Sequence, residues 1–212
     1  MKDKINGRSN AKIDGDGKER YQGAETRARL LDAALLLFER NGFHKVGLPA
    51  LGKEIGVSHA AIYAYFDDKD DLLAKCCELA IEAIREIVDL KIDPNSSAEQ
   101  RLRSYLDGNL EWVLKHRRYA NALLSMYYFG AQSPKLRSLH LEMDRVSISR
   151  LETHLIHGNQ AKAWQVRATQ ARASAIHSLI VGEMVKAFHF PRDMSRAERF
   201  AGIWKSVCLL IK

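Results

Sequence analysis

Residues 47–66, GLPALGKEIGVSHAAIYAYF, carry two short helical patterns that meet at a glycine. Leu48, Leu51 and Ile55 mark the first, with Leu51 and Ile55 four residues apart on one face. The second opens at Ser58 and carries Ile62 and Phe66, again at i, i+4. Between them Gly56 supplies the positive φ that a tight turn between steeply crossed helices demands. Ser58 is a strong N-cap, able to accept from the amides of Ala60 or Ala61. Val57, just before the cap, can staple against Ile62. Gly52 sits four residues before Gly56, where the first helix must come close to the second. Each local choice agrees on a helix-turn-helix.

The second helix has a slim first turn and two tyrosines. Ile62 and Phe66 face inward, leaving His59, Ala60, Tyr63 and Ala64 on other faces, with Tyr65 partly so. That surface suits an N-terminal end in a major groove, with phenols meeting the phosphates beside it. The same segment also reads as an ordinary core helix with two amphipathic tyrosines.

Working upstream, a helix is predicted from Thr26, a cap, to Asn41, with Leu30, Leu31, Ala34, Leu35, Leu37 and Phe38 as its apolar stripe. Gly42-Phe43 reads as its end, Gly42 in the left-handed position and Phe43 folding back. Residues 1–24 are polar and lack periodicity, and read as a disordered arm. Lys2, Lys4, Arg8, Lys12, Lys18 and Arg20 could reach a DNA backbone or minor groove, or form a plain solvated leader. Downstream, Asp68 opens a long fourth helix with Asp71 at its third position.

These residues together resemble the tetracycline-repressor (TetR) family of bacterial regulators. The resemblance rests on Ser58-x-x-x-Ile62-Tyr63-x-Tyr65-Phe66, then Lys69 and Leu72-Leu73, and upstream on Thr26-Arg27, Ala33-Ala34-x3-Phe38 and Gly42-Phe43. It covers roughly residues 25–75. Gly47 stands where a capping Ser or Thr is usual, Pro49 follows in the first turn, where proline is tolerated, and Gly52-x-x-Ile55 replaces the usual Ala-x-x-Ala. The DNA-binding set read from this motif is Thr26, Lys45, Gly47, Lys53, Ser58, His59, Ala60, Tyr63, Tyr65 and Lys69.

Charge does not strengthen the DNA reading. The chain carries +7 overall, but residues 1–24 hold six basic against four acidic groups, 25–74 six against eight, and 75–212 21 against 14. The first 74 residues therefore net zero, and the case for DNA rests on geometry. A chain of 212 residues, 46% hydrophobic, has ample core for one or two domains. It has no apolar run of membrane-spanning length and no apolar core in a leader, so neither a membrane partner nor a secretory signal is expected. Cys76, Cys77 and Cys208 make no disulfide framework, and a cytoplasmic location is expected.

The rest of the chain reads as helices throughout. Lys91-Ile92-Asp93-Pro94-Asn95-Ser96 is a break. Ser97-x-x-Gln100 is a capping box for a helix over 98–116. Another spans 118–130, and Ser133-Pro134 starts one that runs to His157 and stops at Gly158. Residues 166–189 form the eighth, and Ser195-x-x-Glu198 caps the ninth. The fold class is all-α with about nine helices: an arm over 1–24, a DNA-binding unit over 25–74, and a helical effector-binding and dimerisation unit over 75–212.

Ala171, Ala175, Ser178 and Gly182 recur at helical spacing, and small residues let another helix approach closely. With Phe200, Trp204 and Val207 of the ninth helix they meet either a neighbour in the same chain or a second subunit; the family resemblance implies a homodimer with a two-fold four-helix interface. Asn109, Trp112, His116, Met126, Tyr127 and His140 are candidates to line a ligand cavity, and also read as core. His154, His157 and His189 lack the partners of a metal site, so no metal and no cofactor is expected. Signatures of enzymes are absent.

The reading is a homodimeric, ligand-responsive regulator, a repressor binding double-stranded operator DNA and released by a small apolar or aromatic effector. The alternatives are an effector-independent architectural DNA-binding protein and a small all-α enzyme.

Overall fold

A computed structural model describes the backbone of residues 15–212 and the side chains of 23–212 except that of His59. Among the described residues there are nine α-helices and no strand. They are α1 (Gly15–Asn41), α2 (Leu48–Ile55), α3 (His59–Tyr63), α4 (Lys69–Leu90), α5 (Ala98–Lys115), α6 (Arg117–Phe129), α7 (Pro134–Gln160), α8 (Thr169–His189) and α9 (Arg196–Leu210). A single 3-10 turn, Phe43–Lys45, joins α1 to α2.

Most helix starts follow their caps. The Ser58 hydroxyl accepts from the Ala61 amide at 3.1 Å, and the Asp68 carboxylate from Asp71 at 2.6 Å. Ser97 with Gln100, and Ser195 with Glu198, form reciprocal capping boxes. Each satisfies amides that the first turn of a helix leaves without partners. α2 forms with Gly47 at its N-cap, no side-chain cap and Pro49 in its first turn.

Three local expectations are corrected. The first helix does not begin at Thr26: α1 starts at Gly15, and Thr26 lies inside it, half-buried. The expected arm over 1–24 is therefore helical from residue 15, while residues 1–14, with Lys2, Lys4, Arg8 and Lys12, lie outside the described residues; Lys18 and Arg20 lie on the described backbone only. Gly42 has the expected positive φ, 78°, but a ψ of 148°, so the chain extends into the 3-10 turn instead of closing in the left-handed helical conformation. Phe43 still folds back, buried with its ring 5.3 Å from that of Phe38. Gly158 does not end α7, which continues to Gln160. A Cβ at Gly158 would overlap the Trp164 indole, whose Nε1–H donates to the Leu155 carbonyl at 2.9 Å. This glycine makes room for a tryptophan and does not break the helix.

α4 ties the small N-terminal unit to the rest. Its 22 residues span about 33 Å at 1.5 Å per residue, and it packs on α1, α5, α6 and α7. Cys76 turns its thiol toward the Leu31 carbonyl of α1 at 4.0 Å, and Cys77 toward Ala122 of α6 at 3.3 Å. α4 is not the sole connection. α6 also packs on α1, with Arg118 3.6 Å from Asp32 and 3.4 Å from Glu39. α8 packs on α5, α6, α7 and α9.

Candidate functional site

The helix-turn-helix is built as its sequence requires. Leu51, Ile62 and Phe66 are buried. A Cβ on Gly52 would stand 2.7 Å from Ile62 Cδ1 and 3.0 Å from the Val57 carbonyl, so α2 and α3 cross at a distance only glycine permits. Gly56 takes the left-handed conformation, φ 74° and ψ 28°. α3 is shorter than expected, ending at Tyr63, and Phe66 lies in the turn beyond it.

Of the DNA-binding set, Lys45, Lys53, Ser58, Ala60 and Tyr63 are exposed on this unit, and Gly47, Thr26, Tyr65 and Lys69 are half-buried. The His59 side chain lies outside the described residues. Tyr63, the last residue of α3, is 48% exposed, which leaves its ring at the surface. Lys69 is engaged within the fold. Its ammonium donates to the His44 carbonyl at 3.1 Å and stands 4.3 Å over the Phe43 ring. Burial lowers its pKa. It pins the start of α4 to the turn between α1 and α2.

A cavity with about 90 Å³ of free space lies among α4, α5, α6, α7 and α8. Three of the six expected ligand residues line it: Asn109, Trp112 and Tyr127. The other three do not. Met126 is wholly buried in the core. His116 forms the junction of α5 and α6, where its ring stacks on Trp112 at 6.2 Å, beside a separate polar cleft against α1. His140 lies behind the cavity wall, its ring 4.0 Å from Tyr127.

Arg85, Arg150 and His177 also line the cavity and were not foreseen. A signal for His177 existed. It precedes Ile180, Val181 and Met184 at helical spacing, and all four face the cavity; a histidine on an otherwise apolar stripe marks a polar point in a buried wall. The wall is electrostatically tuned. Burial first, then Asp144, pushes the Tyr127 phenol up, and its hydroxyl donates to Asp144 at 3.2 Å. Burial lowers the His177 pKa, against Asp144 3.7 Å away. Among the described residues, no group of three or more His, Cys, Asp or Glu is placed to hold a metal ion, and no helix is long and apolar enough to cross a membrane.

The four small residues of α8, Ala171, Ala175, Ser178 and Gly182, are all exposed, on the side opposite the buried Ala173, Ile176 and Ile180. The α9 residues behave otherwise. Val207 is wholly buried in the chain's own core. Phe200 and Trp204 flank Arg103 of α5, whose guanidinium lies 5.8 and 4.6 Å from their rings. The outward face of α9 carries Ala201, Gly202 and Leu209 instead.

Comparison with known proteins agrees with this anatomy. The family model described as bacterial regulatory proteins, tetR family, matches residues 30–76, the helix-turn-helix and its supports. The chain is 26% identical over 130 residues to the HTH-type transcriptional regulator BetI of Vibrio atlanticus, covering 60% of this chain and 63% of that protein, less than two thirds of its length. It is 29% identical over 175 residues to BetI of Escherichia coli, covering 81% of this chain and 87% of that one. The fold matches that of a putative transcriptional regulator from Saccharomonospora viridis solved with choline, with a TM-score of 0.77 and 20% identity, over 87% of this chain and 96% of that one. These relatives are regulators, not enzymes. The match begins inside α1 and runs into α4, the stretch in which Gly52, Gly56 and Ser58 set the turn, and over residues 30–76 the chain is similar to the tetR family of bacterial regulatory proteins, which supports a regulator of that kind.

Proposed function

We propose that the protein is a homodimeric, ligand-responsive transcription regulator of the cytoplasm, a repressor that binds a near-palindromic operator and leaves it when a small, largely apolar or aromatic effector enters the α4–α8 cavity. Residues 25–74 act as the DNA-binding unit and 75–212 as the effector and dimerisation unit. One observation carries this reading. α6 lines the cavity with Leu123 and Tyr127 and, six residues after Leu123, sets Phe129 against Phe43 and His44 of the turn that leads into the helix-turn-helix, at 4.9 and 4.4 Å. A ligand that shifts α6 acts directly on the DNA-binding unit.

The exposed small face of α8 supports dimerisation, with Ala201, Gly202 and Leu209 as its neighbours on α9. The choline bound to the Saccharomonospora regulator supports a small molecule as effector. The architectural alternative fits a closed middle domain better than one with a cavity.

The test is a titration of effector with and without saturating operator. A ligand shifts an equilibrium only by its differential affinity for the two states, and coupling is reciprocal. Effector should bind free protein more tightly than operator-bound protein, by the factor with which it weakens DNA binding. Equal affinity in both would leave an architectural protein as the better account.

A further inference from the structure

The effector cavity is apolar over most of its wall, and its charged groups are of one sign. Arg85 and Arg150 line it, and no carboxylate does. Arg85, on α4, makes no hydrogen bond or ion pair among the described residues and is exposed. Arg150, on α7, pairs with Asp89 and lies 5.4 Å over the Tyr105 ring. Both therefore stand on the α4–α7 side of the cavity.

The interior adds a donor with no acceptor. Trp112 lines the cavity and is wholly buried, yet its Nε1–H has no hydrogen-bond partner. A buried donor left unpaired is costly, and an acceptor brought in by a ligand removes that cost. The acids around the wall are already engaged: Asp89 with Arg150, Glu142 with Arg145 and within electrostatic reach of Arg85, and Asp144 with Tyr127. Asp144 accepts from the Tyr127 hydroxyl at 3.2 Å, with His140 and His177 nitrogens at 3.3 and 3.7 Å.

From these groups, and resting on the reading of this cavity as the effector site, we propose that the effector is an amphipathic carboxylate. Its apolar or aromatic body fills the space between α5, α6 and α8, and its carboxylate meets Arg85 and Arg150. Guanidinium and carboxylate match as a planar fork, and such charge-assisted bonds exceed neutral ones in strength. A quaternary ammonium would find aromatic faces here but would face two guanidiniums with no carboxylate among the lining groups.

Calorimetric titration of the full-length protein with octanoate, octanol, octylamine and choline separates the cases. Octanoate should bind at least about tenfold tighter than octanol or octylamine. Arg85→Gln and Arg150→Gln should each weaken octanoate by about tenfold and leave octanol unchanged. Trp112→Phe removes the unpaired donor and keeps a ring, so the free protein should melt no lower. Octylamine or choline binding as tightly as octanoate would overturn the carboxylate assignment and leave the cavity reading standing, as would octanol matching octanoate. Absence of binding by all four would remove the cavity reading itself, and the proposal with it. Arg85, being exposed and without hydrogen-bond partners, provides a variant whose folding is not at issue.

Discussion

The rings of His44 and Phe129 meet edge-on, with centroids 4.4 Å apart and planes at 87°. One belongs to the turn that enters the helix-turn-helix and the other to the end of a helix that lines the cavity. Packed interfaces of this kind have few alternative arrangements, so a shift at one side is felt at the other. Phe129→Ala should leave effector binding nearly intact, destabilise the fold by about 2 kcal/mol, and shrink the effector's influence on DNA affinity. Effector dissociation constants with and without operator give that ratio directly; an unchanged ratio would exclude Phe129 from the coupling.

Gly158 and Trp164 give a stability prediction. A methyl at residue 158 would overlap the indole, so Gly158→Ala should cost about 1–3 kcal/mol as overpacking. Trp164→Ala should also destabilise, since it empties a buried site and frees the Leu155 carbonyl. In the double variant the clash is gone, and the two costs should fall short of additivity by about 1 kcal/mol or more. Urea denaturation of the four proteins tests this; strict additivity would mean the glycine serves another purpose.

Legibility in the sequence followed range. Ser58, Asp68, Ser97 and Ser195 announce their helices because a cap is a contact across three residues. Gly56 and Gly52 were readable because a helix-turn-helix confines the turn and the close approach to one short stretch. Gly158 was misread because its reason lies with an indole six residues on, which folds back onto the helix only in three dimensions. Thr26 offered a cap, yet α1 passes through it, since a competent capping residue does not prevent an upstream turn from forming. In the cavity, Trp112 and Tyr127 were legible as aromatics. Arg85 and Arg150 were not, because long charged side chains read as solvated until their stems are seen along an apolar wall. Val207 and the α8 small face looked alike as interface candidates, and only packing separated the inward one from the outward ones.

The proposed DNA contacts divide by type. Tyr63 lies at the surface at the end of α3 and is proposed to meet phosphate, and phosphate contacts carry no sequence information. Tyr63→Phe should weaken binding severalfold to every sequence alike. His59, at the first position of α3, is proposed to read a base edge, so His59→Ala should change the preferred sequence. Selection from a random duplex pool with each variant separates these roles, and an unaltered consensus with the His59 variant would remove that residue from the readout.

The α8 face tests the dimer. A Cβ at Gly182 meets nothing within 4 Å in the single chain, so Gly182→Leu should leave the isolated fold intact. If a second copy packs there, the added side chain holds it away. Operator affinity should then fall by tenfold or more while helicity is retained, since one half-site alone binds weakly. A variant that sediments as a dimer at micromolar concentration would place the interface elsewhere.

Acid stability follows from a histidine beside the cavity. His154 lies with its ring 5.1 Å from that of Tyr105. Burial first, then the Arg150 and His157 charges, lowers its pKa to about 4. An unfolded chain restores it to about 6.5. Between those values the unfolded state binds a proton that the folded state refuses, so stability falls as pH drops from about 6.5 to about 4, and this contribution is flat outside that window. The loss is at most roughly 3 kcal/mol. His177, also lowered by burial, acts in the same direction. Glu111, held down to about 2 chiefly by Lys115 and Lys91, is shifted in the same direction for the opposite reason, its charged form being favoured, and its contribution is lost as pH falls below about 4.5. Melting temperatures measured from pH 7.5 to pH 4 should decline most steeply between 6.5 and 4, and His154→Leu should flatten that decline. A His154→Leu protein with the original slope would assign the acid sensitivity to the carboxylates instead.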